Sequence, residues 1–62
     1  MSFAERRKAV GLTQAQVGEA LGISDAAVAQ WEKGQTMPKG SRLRDVAVLY
    51  NCTVDELLKE DG

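Results

Sequence analysis

Sixty-two residues with one cysteine, no histidine and a formal net charge of −1 make one small domain, which at this size buries only about 60% of its unfolded surface. The lone cysteine excludes an internal disulfide, the lack of histidine removes the commonest metal ligand and general base, and no run reaches the roughly 18 apolar residues of a membrane helix. With no secretory leader at its start, the chain is expected to be a single cytoplasmic domain over residues 1–62, with 58–62 fraying.

Apolar residues recur at a period near 3.6 between glycine and proline breaks, and no β-branched run alternates at period 2, so the expected fold class is all-α. Ser2 caps a first helix whose Glu5 suits the positive end of the dipole, and Phe3, Arg7 and Val10 share a face. Gly11 stops it and Leu12 turns the chain inward. Thr13 to Gln16 is a T-x-x-Q capping box, which starts a second helix at about Gln14 with Val17, Gly18 and Leu21 inward. Gly22 closes this helix in the left-handed conformation, where a side chain costs free energy.

Ile23 drops into the core and Ser24 caps a third helix, with Asp25 at its positive end. Val28 and Trp31 lie three apart and face inward, which leaves Asp25, Ala26, Ala29, Gln30 and Lys33 on or beside the outer face. From Thr13 to Gly34 the pattern is that of a helix-turn-helix, with small residues at the crossing and a tight turn between the helices. An outer face of short and hydrogen-bonding side chains lets the backbone approach base edges. The plain alternative is an alanine-rich surface helix, since alanine is the best helix former.

Gly34 ends the third helix, and Gln35 to Gly40 reads as a loop. Ser41 or its neighbour caps a fourth helix with Leu43, Val46, Ala47 and Tyr50 on one face and Asn51 at its C-terminal end. Cys52, more a small core residue than a reactive thiol, and Val54 return over the core. Thr53 caps a last helical turn, Val54 to Lys59, that buries Leu57 or Leu58. The charge is unevenly spread: through Arg44 seven basic residues face four acidic ones, a net +3, and from Asp45 on one faces five, a net −4. The first part suits phosphate, while scattered charge is also what a plain solvated surface carries.

Several elements in register resemble the lambda-repressor-like family of helix-turn-helix domains: Arg7, the run Leu12-Thr13-Gln14, Gly22-Ile23-Ser24, Trp31-Glu32-Lys33-Gly34, Pro38, Leu43 with Val46-Ala47, and Cys52 to Leu57. The segment LGISDAAVAQW is similar to the recognition region of a lambdoid phage Cro protein. The resemblance implies a five-helix domain with the helix-turn-helix in helices 2 and 3, working in a bacterial or phage-infected cell. It gives Gln14 a phosphate contact at the start of the second helix, where free N–H groups favour an anion. It makes Arg7 and Glu32 a structural pair, and Asp25, Ala26, Ala29 and Gln30 the base-reading positions. Gln30 suits adenine, Asp25 the amino group of cytosine, and Ala26 or Ala27 a thymine methyl. Lys33, Lys39, Ser41 and Arg42 fall where the family meets the DNA backbone, with Lys8 a weaker candidate.

Three residues depart from the family pattern. Gly18 replaces a common alanine at an expected cost of about 0.5 to 1 kcal/mol, Arg6 replaces an apolar residue and is expected to keep its head in water, and Gly40 replaces a leucine. The resulting expectation is a Cro- or repressor-type regulator that occupies a palindromic operator as a homodimer. Val48, Leu49, Leu57 and Leu58 are the expected C-terminal contact, with no cofactor, metal, small-molecule ligand or membrane partner. The alternative is a protein-interaction module such as an antitoxin; an enzyme is not expected, because no nucleophile and base stand together.

Overall fold

The computed structural model describes residues 3–58. Five helices follow one another: α1 (Phe3–Ala9), α2 (Gln14–Leu21), α3 (Asp25–Lys33), α4 (Ser41–Leu49) and α5 (Val54–Leu58), with no strand among the described residues. The expectations for Ser2 as a cap and for residues 59–62 lie outside the described residues, whereas Leu58, expected to fray, is the last residue of α5. No helix there is long and apolar enough to cross a membrane.

Local hydrogen bonds set the helix starts. Thr13 Oγ1 accepts from the Gln16 amide at 3.0 Å and the Thr13 amide donates to Gln16 Oε1 at 2.9 Å, the reciprocal box that fixes the start of α2. Ser24 Oγ accepts from the Ala27 amide at 3.2 Å and caps α3. The short α5 has a full box of its own, between Thr53 and Glu56, with both bonds at 3.0 Å. At α4, of the two candidates left open, the cap is the neighbour of Ser41: Gly40 occupies it with φ 57° and no side-chain hydrogen bond, and Ser41 is the first helical residue. A positive φ there suits glycine rather than the family's leucine.

The ends of α1 to α4 share one backbone solution. After α2, Gly22 adopts φ 72°, its amide donates to Glu19 O at 3.4 Å, and the Ile23 amide donates back to Gly18 O at 2.8 Å. This paired closure satisfies carbonyls that the helix itself leaves open. The same pair closes α4, where the left-handed residue is Asn51 at φ 56° and Cys52 donates to Ala47 O at 3.0 Å.

Phe3, Val17, Val28, Trp31, Val46, Ala47, Tyr50 and Leu57 form the core. Phe3 and Trp31 meet edge to face with ring centres 6.4 Å apart. Gly18 lies where α2 crosses the turn into α3, and a Cβ there would stand 2.7 Å from Ile23 O and 3.2 Å from the Asp25 amide nitrogen. Its expected cost relative to alanine is therefore overturned, because alanine does not fit this crossing without moving backbone. Arg6 also departs from expectation. Its head is not simply in water: Nη2 lies 3.6 Å from Glu56 Oε2, joining α1 to α5, and its buried Nε finds no hydrogen-bond partner among the described residues.

Candidate nucleic-acid interface

Val28 and Trp31 are buried, which fixes the rotation of α3 about its axis. Asp25, Ala26, Gln30 and Lys33 are thereby exposed, with Ala29 half-buried beside them. Ala27 is half-buried too, so Ala26 is the more accessible methyl for a thymine. The outward face of α3 thus carries two short methyl groups, one amide, one carboxylate and, at its far end, one ammonium. Such a surface can lie against a groove without long side chains holding the helix away.

At the start of α2, helix geometry leaves the first amide N–H groups without partners inside the helix. The capping box takes two of them, Gln16 N–H on Thr13 Oγ1 and Thr13 N–H on Gln16 Oε1, and Val17 N–H makes the first regular helix bond to Thr13 O at 3.0 Å. The N–H groups of Gln14 and Ala15 remain at the open end, where an anion is favoured. The Gln14 side chain is not loose: its Nε2 donates to Glu32 Oε1 at 2.9 Å.

Glu32 also receives Arg7, with Nε to Oε2 at 2.6 Å and Nη2 to Oε1 at 3.3 Å, while Arg7 Nη1 donates to Leu12 O at 2.8 Å. The two side chains are 11% and 9% exposed, so the pair is largely withdrawn from water. Burial alone would push the Glu32 carboxyl up, but hydrogen bonds from Arg7 and Gln14, and the charges of Arg7 and Lys8, hold it below the usual carboxylate range. The bond to Glu32 in turn raises Arg7, which stays charged. The pairing of Arg7 with Glu32 matched a family pattern, whereas the third member, Gln14, was missed. A side-chain bond across two separately placed helices leaves no local spacing to read.

Lys33, Lys39 and Ser41 are exposed around the end of α3 and the following loop. Arg42 is turned differently: its Nη1 donates to Leu21 O, so it serves the carbonyl end of α2, where a cation is favoured. Lys8 is exposed on α1 and acts on Glu32. Of the apolar residues expected at a two-fold contact, Val48 is 74% and Leu58 42% exposed, and Leu49 is half-buried beside a shallow groove with Ala20, Arg44 and Asp45. Leu57 is only 1% exposed and belongs to the core, which corrects its assignment to a contact surface. Cys52 is half-buried and burial pushes its thiol up, so a reactive thiolate is disfavoured.

The helix-turn-helix family matches residues 3–57. The repressor protein C2 of Salmonella phage P22 is 39% identical over 56 residues, covering 90% of this chain and 26% of that protein. The HTH-type transcriptional activator BcrR of Enterococcus faecalis is 36% identical over 62 residues, covering 94% of this chain and 30% of that protein. The chain therefore spans less than a third of the length of these two curated relatives. Among solved structures, the DNA-binding domain of the P22 C2 repressor in solution superposes with a TM-score of 0.83 at 37% identity, covering 95% of this chain and 78% of that one.

Proposed function

The chain belongs to the helix-turn-helix family, and on that premise we propose that it is a sequence-specific DNA-binding unit of a transcriptional repressor. In this reading α3 enters the major groove, with Gln30 paired to an adenine, Asp25 accepting from a cytosine amino group and the methyls of Ala26 and Ala29 against the base edges. Gln14 and the open N–H groups of α2 hold one phosphate. Lys33, Lys39 and Ser41 hold others, and Arg42 contributes only through the donors its bond to Leu21 leaves available. The observation that carries the reading is the 37% identity and TM-score of 0.83 to a domain named as DNA-binding and as part of a repressor.

One recognition helix reads few base pairs, so the chain acts as a homodimer on a palindromic operator with half-sites about 10 bp apart. Val48, Leu49 and Leu58 form the two-fold contact. It works in the cytoplasm of a bacterial or phage-infected cell and represses by occupying the operator and excluding polymerase. No cofactor or catalytic step enters this mechanism.

Selection of bound duplexes from a random pool with the full chain tests the reading. A two-fold symmetric sequence with that spacing is the expected result. Failure to enrich any sequence, even at low salt, contradicts it and moves the weight to a protein-binding role.

A further inference from the structure

We infer that Glu32 is the positioning residue for the phosphate contact of Gln14: it holds the glutamine amide in place from the end of α3 without touching DNA itself. The inference rests on the DNA-binding reading above. The Glu32 carboxylate accepts three side-chain hydrogen bonds. Glu32 Oε2 takes Arg7 Nε at 2.6 Å, and Oε1 takes both Arg7 Nη2 at 3.3 Å and Gln14 Nε2 at 2.9 Å. Arg7 also reaches Leu12 O at 2.8 Å, so the chain entering α2 is tied to the same group.

A primary amide has two N–H donors. One is committed to Glu32, and the other remains for an anion on the first residue of α2, whose own N–H and that of Ala15 are at the open helix start. Three donors of one helix end then face one anion. A glutamine held only on arrival of the phosphate would lose rotamer freedom at binding, whereas Glu32 removes that loss when the protein folds. Arg7 has a second effect here. Its charge cancels that of Glu32, so the carboxylate can hold the amide near a phosphate without repelling it.

Charge alone and positioning predict opposite signs for Glu32→Gln. Removal of a carboxylate near DNA should tighten binding if only charge matters. A carboxamide keeps one oxygen; held by the short bond from Arg7 Nε, it leaves an NH2 group at the Oε1 position, donor facing the donor of Gln14 Nε2, so the Gln14 amide is released and binding should weaken. The test is a double-mutant cycle on the duplex that the wild-type chain selects, with Gln14→Ala, Glu32→Gln and the pair together. Gln14→Ala should weaken binding on the order of tenfold and leave the salt slope nearly unchanged, because a neutral amide releases no counterion. Glu32→Gln should weaken it in the same direction, and should add nothing once Gln14→Ala is present. Its effect on the melting temperature should persist in both backgrounds, which separates folding from positioning.

Additive losses, or tighter binding by Glu32→Gln, overturn the positioning role while leaving DNA binding intact. A wild-type chain that selects no duplex overturns both readings together. Should Glu32→Gln fail to fold, the unbound wild-type protein still decides by NMR: one Nε2 proton of Gln14 should exchange slowly and shift as Glu32 titrates, and two freely exchanging, unshifted protons overturn the inference.

Discussion

Gly18 shows how a single methylene decides the angle between two helices. Alanine is a better helix former by about 1 kcal/mol, yet its Cβ would stand 2.7 Å from a backbone oxygen of the turn. We expect Gly18→Ala to lower the unfolding free energy by about 1 to 3 kcal/mol, read from denaturant midpoints; a rise would contradict the crossing geometry. Glu32 supplies the second residue-scale expectation. Its folded carboxyl titrates below its unfolded value, so its stabilisation is present above about pH 4.3 and is lost as the pH falls through the lower folded value. The acid limb of the stability curve should therefore flatten in Glu32→Gln. Arg7→Leu, which strands the carboxylate, should cost on the order of 3 kcal/mol at neutral pH, and a neutral effect would mean the pair is not buried in solution.

At the scale of helices, stability is concentrated at their ends. The five-residue α5 is too short to persist alone, so it depends on its capping box and on Leu57 in the core. Thr53→Ala should cost about 1 kcal/mol, measurable as faster amide exchange in α5, and unchanged exchange would show that packing alone holds it. These devices are the part of the fold most legible in the sequence, because they act over three or four residues: the Thr13–Gln16 box, Ser24, Gly22 and Gly34 all stand where their spacing puts them. The entry to α4 was legible only to within one residue, since serine is a good cap by type, but the turn takes a positive φ and its neighbour Gly40 holds the position. Longer-range choices were not legible. Leu57 and Leu58 differ only by which way α5 is turned against the core, Arg42 follows the carbonyl end of α2, and Gln14 meets Glu32 only after α2 and α3 have packed. On α3, by contrast, Val28 and Trp31 point inward as their spacing demands, so the outward set was readable.

Over the whole molecule the net charge of −1 conceals a basic part through Arg44 and an acidic part after it. In the proposed complex that asymmetry turns the basic part toward phosphate and makes the affinity depend on salt. Val48, at 74% exposure, contributes nothing to the core and everything to the proposed contact between copies. Val48→Glu should leave the melting temperature nearly unchanged and abolish the preference for a palindrome over a single half-site; an intact preference would remove α4 from the contact. The claim on which the rest depends is that α3 reads bases. Competition binding of the wild-type chain and Gln30→Ala to the selected duplex and its single-base variants measures it most directly. The wild type should discriminate at several positions, and Gln30→Ala should lose about 1 to 3 kcal/mol of discrimination at one position alone. Equal weakening on every sequence, or no change at any, would contradict base reading by α3.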